Sequence, residues 1–183
     1  HDYYVCLLSA AELHGFAHQR PQVFQVMTSA RLRSRTFGRV RLEFINSVST
    51  PDRAVQRINT PTGTIAVSTI ETTILDMVAN PNLSGSLFNV ATILGDMIDE
   101  ERIDPGVLSD GSAGYPRSVV QRAGWMLDDM SERVGTAIDT APLHSALGGG
   151  TSPTLLDSGG PRTGERDDRW NVIVNEHLEE ESS

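Results

Sequence analysis

Thr64-Ile65-Ala66-Val67-Ser68-Thr69-Ile70-Glu71-Thr72-Thr73-Ile74-Leu75-Asp76-Met77-Val78-Ala79 changes its period half-way along. Thr64 to Val67 is short and β-prone, and with Val55 to Asn59 it flanks the turn residues Thr60-Pro61-Thr62-Gly63, which predicts a strand pair. Ser68-Thr69-Ile70-Glu71 then reads as a capping box. The Ser68 hydroxyl would satisfy the Glu71 amide and the Glu71 carboxylate would reach back to the Ser68 amide. Ile74, Leu75, Met77 and Val78 follow at helical spacing until Asn80-Pro81-Asn82 stops the run. A strand feeding a capped helix is the local signature of an α/β domain.

Working outward, Tyr3 to Phe16 spaces Val5, Leu8, Ala11 or Glu12, and Leu13 as one buried helix that ends at Gly15. Past Pro21, Val23 to Met27 and Arg39 to Ile45 read as strands, with Thr36-Phe37-Gly38 as the hairpin turn between them. Leu83 to Arg102 is predicted as a long helix carrying Val90, Ile93, Leu94, Met97 and Ile98 on one stripe. Asp104-Pro105 opens a short helix, and Pro116 to Arg133 forms another with Val119, Val120, Ala123, Met126, Leu127 and Met130 inward. The expected division is a core over residues 1–147, a Gly/Pro-rich loop over 148–168, a final strand of the same domain over 169–178 and an acidic tail over 179–183. The fold class expected is a single α/β (α+β) domain, with a mixed sheet of about five strands packed with about five helices.

Composition removes several functions. All 15 basic residues are arginine, so the lysine of a P-loop, of a conventional kinase strand, of a Schiff base or of a Ser-x-x-Lys nucleophile is missing. A single cysteine, Cys6, excludes an intramolecular disulfide and a four-cysteine zinc site. A reducing, cytoplasmic setting is expected, and no apolar run is long enough to cross a membrane as a helix. His1 in first place reads as a tag remnant or the cut end of a longer polypeptide.

The net charge of −9 hides two unlike regions: residues 1–60 hold eight arginines against four acids, and residues 61–183 hold seven against twenty. Arg31, Arg33, Arg35, Arg39 and Arg41 are odd-numbered, so on an extended chain they would share one face while Val40, Leu42 and Phe44 share the other. They are candidates for binding phosphate, nucleic acid or an acidic partner, although a solvated strand face would read the same way. Asp96, Asp99, Glu100 and Glu101 gather where a helix dipole disfavours acids, and form a candidate partner-facing surface.

Catalytic motifs are weak. His14 and His18 stand four apart, as zinc-binding histidines do on a helix, but without the glutamate of a metalloprotease motif; His144 or His177 would have to supply a third ligand. Asp128-Asp129 and Asp167-Asp168 are the acid pairs that could hold magnesium, and solvated charge is the commoner meaning of such pairs. Asp110-Gly111-Ser112-Ala113-Gly114 only superficially matches a nucleophile elbow. No catalytic residue is assigned and no metal site is expected.

Five segments, taken in order, say more: YYVCLLSAAELHGFAHQRPQVFQVMT from Tyr3, GTIAVSTIETTILDMVANP, FNVATIL, YPRSVVQRAGWMLD and RWNVIVNEHLE. Together they resemble the AbiEi family of toxin–antitoxin antitoxins, specifically the antitoxin domain that follows an N-terminal winged helix, from Tyr3 to Glu179. The resemblance implies a cognate nucleotidyltransferase-like toxin as partner and no cofactor. The resemblance implies operator DNA as a partner only through a missing N-terminal winged helix. Two alternatives stay open: an atypical Ser/Thr kinase that phosphorylates the toxin with ATP and Mg²⁺, and a fragment of a DNA-binding autoregulator. Without lysine, such a kinase would need an arginine or a metal at its phosphates.

Overall fold

The computed structural model describes residues 3–16 and 23–178. Strand β1 (Tyr3–Val5) runs straight into helix α1 (Leu7–His14). The single helix expected from Tyr3 to Phe16 is therefore corrected to a strand and a helix, because Cys6 is extended and Leu7 turns the chain with φ +51°. Gly15, at φ +93°, closes α1 as expected: its amide and that of Phe16 return to the carbonyls of Glu12 and Ala11.

Next come β2 (Val23–Thr28), β3 (Arg35–Phe37), β4 (Val40–Asn46), β5 (Val55–Thr60) and β6 (Gly63–Ser68). With β1 they form one mixed sheet in the order β3-β4-β2-β1-β6-β5. The β5–β6 hairpin is the pair expected around Thr60-Gly63. The hairpin at Gly38 joins β3 to β4, whereas β2 pairs β4 in parallel, Val26 against Phe44. The expected β2–β4 hairpin is thus corrected: a parallel pair needs a long connection, and β3 lies in that connection.

Register decides which face each residue uses, because laterally paired residues share a side of the sheet. Met27, paired with Tyr4 on one strand and Ile45 on the other, faces the main core, with Ala66 on the same side. Val5 and Val67 face the opposite way, with Phe24, Ile58 and Ile65, and meet Ala10 of α1.

The main core lies against α2 (Ile70–Ala79), α3 (Leu87–Asp99) and α5 (Arg117–Val134), with the short α4 (Pro105–Ser112) and α6 (Ala141–Leu147) at its margin. Helix α2 starts where expected, but its cap is Thr69, whose hydroxyl accepts from the Thr72 amide. Ser68 is buried instead and hydrogen-bonds Thr73, and Glu71 accepts from the amide of Asp104. The long helix expected from Leu83 is shortened, because Pro81–Ser84 is a 3₁₀ turn and α3 begins only after its Ser86 cap.

α6 was not foreseen. Nor were β7 (Thr154–Leu155) and β8 (Glu165–Asp167), which fall inside the stretch read as a loop. They flank β9 (Val172–Val174), the centre of the final strand expected at residues 169–178, in a small separate sheet. Trp170 anchors that sheet: its fully buried ring lies on Gly124 of α5, where an added Cβ would stand 2.2 Å from a ring carbon. The fold class is as expected, a single α/β domain with a mixed sheet; β1, β3, α6, β7 and β8 are additional, and the expected final strand lies in a second sheet.

Candidate functional site

Every residue from Ile70 to Val78 is buried, so α2 has no wet face on which to place Asp76. A carboxylate there must find hydrogen-bond donors inside the protein. It finds two. The Tyr4 hydroxyl donates to Oδ2 at 2.9 Å and the Tyr115 hydroxyl to Oδ1 at 2.7 Å. Burial raises the Asp76 pKa to about 6, more than the two hydroxyls and the charge of Arg53 pull it down. The same burial, with the neighbouring carboxylate, pushes both tyrosines far above their ordinary range, so both stay donors.

Arg53 completes the cluster. Its guanidinium lies over the Tyr115 ring at 3.5 Å and donates through Nη1 to the Gly114 carbonyl at 2.7 Å. The approach depends on Gly114, since a Cβ there would come within 2.3 Å of that nitrogen. Sequence reasoning missed this cluster. Its one local signal is an aspartate inside the apolar run Ile74-Leu75-Asp76-Met77-Val78; Tyr4 and Arg53 come from distant segments.

The arginines expected to form a ribbon are all exposed but do not share a face. Arg35 pairs laterally with Leu42 and Arg41 with Thr36, so Arg35 and Arg41 point to opposite sides of the edge hairpin. Arg39 sits in its turn, and Arg31 and Arg33 lie in the irregular lead-in. The expectation of one basic face is corrected, because the hairpin folds the odd positions onto two strands. Phe37 and Val40 face each other on Arg35's side, 59% and 51% exposed.

Asp96, Asp99, Glu100 and Glu101 do lie together at the C-terminal end of α3. Asp99 accepts from the Thr136 hydroxyl at 3.2 Å, and Glu100 stands 4.0 Å from Arg102. Glu101, at φ +52°, takes the left-handed position that ends the helix: its amide returns to Ile98 and that of Arg102 to Met97. Beside them a cleft of about 180 Å³ is lined by Met97, Ile98, Ile103 and Ile138, with Glu101 and Asp139 among its polar residues.

Ordinary structural roles account for the remaining candidates. His14 bonds the Ser68 carbonyl through Nε2 at 2.7 Å, and burial lowers its pKa; His18 lies outside the described residues. His144 packs edge-on against Trp170. Asp128 accepts from Trp170 Nε1 at 2.6 Å, Arg169 at 2.8 Å and Thr140 at 2.6 Å, while Asp129 pairs with Arg133 at 2.7 Å. The two neighbours therefore serve separate partners. Asp167 accepts the Trp170 amide and Asp168 is solvent-exposed, 4.0 Å from Arg166. Among the described residues no three His, Cys, Asp or Glu side chains are grouped to share a metal ion. Cys6 is buried, and burial pushes its thiol well above the usual range. No helix among the described residues is long and apolar enough to cross a membrane.

The crystal structure of the RV2827C protein from Mycobacterium tuberculosis is similar with a TM-score of 0.62 at 15% identity, over 93% of this chain and 61% of that one. At that identity the likeness is one of fold, and the chain spans about three-fifths of that protein's length. No match is found among curated protein sequences. The family model of the AbiEi antitoxin C-terminal domain matches residues 3–129, from the first strand into α5 and including the whole Asp76 cluster. The chain belongs to the AbiEi antitoxin C-terminal domain family.

Proposed function

We propose that this chain is the neutralising domain of an antitoxin, that its partner is a nucleotidyltransferase-like toxin, and that it acts by docking on that toxin through the acidic end of α3. Family membership supports the antitoxin role, and the AbiEi resemblance supports the class of toxin. The observation that carries the docking mode is the exposed run Asp99, Glu100 and Glu101 beside the apolar-lined cleft. An enzyme that handles nucleoside triphosphates and RNA concentrates positive charge at its site. An acidic surface on a body of net −13 over residues 61–183 steers the encounter, and the half-buried Ile103 and Ile138 add a small apolar contact beside it.

The test is co-elution of the chain with its toxin at low and high salt, using wild type and the combined Asp99→Arg, Glu100→Arg, Glu101→Arg variant. Docking predicts a salt-sensitive complex with wild type only, and loss of neutralisation in the variant. Intact neutralisation by the variant defeats the proposal. Incubating chain, toxin and ATP·Mg²⁺ and weighing the toxin tests the rival: a gain of one phosphate would replace docking by phosphotransfer.

A further inference from the structure

On the side of the sheet that faces the main core, Tyr4, Ala66 and Arg57 stand side by side on β1, β6 and β5, since Val5 pairs with Val67 and Arg57 with Ala66. Thr50 and Pro51 of the 3₁₀ turn Thr50–Asp52 border the same space. It is a cavity of about 260 Å³, with Tyr4, Thr50, Arg53, Val55, Arg57 and Ala66 among its lining residues. Among the described residues both charged groups on its wall are arginines, and no described carboxylate lines it.

The two arginines differ in a useful way. Arg53 is held by the Tyr115 ring and the Gly114 carbonyl, a contact that occupies one of its five N–H donors. Its position is therefore set before any ligand arrives. Arg57 is exposed and makes no hydrogen bond or ion pair with any described residue. One fixed and one free guanidinium beside a concave space suit a tetrahedral oxyanion, which accepts two forked donors at once. The volume is just below the roughly 300–1,000 Å³ of sites for drug-sized molecules, so it suits a small ester rather than a macromolecular surface. The Asp76 carboxylate takes up none of the Arg53 donors, because its oxygens accept from the Tyr4 and Tyr115 hydroxyls, and it acts on Arg53 through its charge alone.

We propose that this cavity binds a small phosphate monoester, with Arg53 and Arg57 as its two anion contacts and Gly114 as the residue that lets Arg53 take its place. The site is separate from the acidic surface of α3 and does not depend on the docking reading.

Isothermal titration of the full chain with inorganic phosphate, ribose 5-phosphate, AMP and a glutamate-rich peptide tests it. At least one phosphate compound binds wild type. Arg57→Ala weakens that binding about tenfold or more and Arg57→Lys recovers part of it. Gly114→Ala weakens it too, by displacing Arg53. Arg41→Ala, on the same side of the sheet at its far end, leaves it unchanged. Circular dichroism confirms that each variant is folded, which is expected for Arg57 because its side chain is exposed. Binding of inorganic phosphate as tight as that of the esters identifies the phosphoryl group as the recognised part; tighter binding of either ester adds recognition of its attached group, and both support the site. Failure of all three phosphate compounds, binding of the peptide alone, or affinity unchanged in Arg57→Ala overturns it.

Discussion

The Tyr4 hydroxyl donates to the Asp76 carboxylate across 2.9 Å, fastening the first strand to a helix 72 residues further along the chain. Tyr115 closes the other side of the same carboxylate at 2.7 Å. Three segments thus share one buried acid, and each of the following consequences can be measured.

Asp76 makes stability depend on pH in a direction opposite to that of a salt-bridged acid. Its folded pKa of about 6 lies above the unfolded value, so the folded protein holds the proton more tightly. This group therefore favours folding fully below the unfolded pKa near 4, and that favour is lost as pH rises through about 6, at a cost of about 3 kcal/mol. His14 works the other way, since its lowered pKa costs stability as pH falls. The Asp76→Asn variant separates the two. Its urea midpoint should exceed that of wild type at pH 7.5 and lose the advantage at pH 4.5. A difference between the two proteins that stays constant with pH would refute the assignment.

Gly124→Ala should detach the small C-terminal sheet. The new methyl would stand 2.2 Å from the Trp170 ring, which is fully buried and bonded through Nε1 to Asp128. Overpacking of this kind costs about 1–3 kcal/mol. Tryptophan emission should shift to the red, a change that a mere weakening of α5 would not cause in the native state.

Thr69→Ala should cost about 1 kcal/mol through the lost cap at the start of α2. Ser68→Ala acts by another route, removing the buried hydroxyl that bonds Thr73 at 2.7 Å. Were Ser68 the cap, Thr69→Ala would be nearly silent in chemical denaturation.

Glu101→Gly should stabilise the fold by about 0.5–1 kcal/mol, because Glu101 holds a left-handed φ of +52° at the end of α3, where glycine pays no steric penalty. Glu101→Ala, which keeps that penalty, should bring no gain. Equal melting temperatures for the two variants would count against it.

What the chain declares locally is accurate wherever an element is long or closed by its own neighbours. The start of α2, the β5–β6 hairpin at Thr60-Gly63, the glycine end of α1 and most of α5 are of this kind, because period, cap and turn chemistry act over a few residues. Tyr3–Val5 is the counter-example: three residues are too few to show a period of two, so the apolar run beside α1 reads as more helix. α6 and the strands β7 and β8 fail for the same reason, each short and set among glycine and proline.

The sequence by itself determined the α/β class, the family and the grouping of the acids at the end of α3, since all three rest on residue order. Tertiary structure alone decided that β2 runs parallel to β4, that Arg35 and Arg41 point apart, and that Tyr4, Arg53, Asp76 and Tyr115 meet. Strand pairing is chosen by which face can be buried, and a buried carboxylate recruits whatever hydroxyls the packed segments bring within reach. Neither choice is written in the spacing of neighbouring residues.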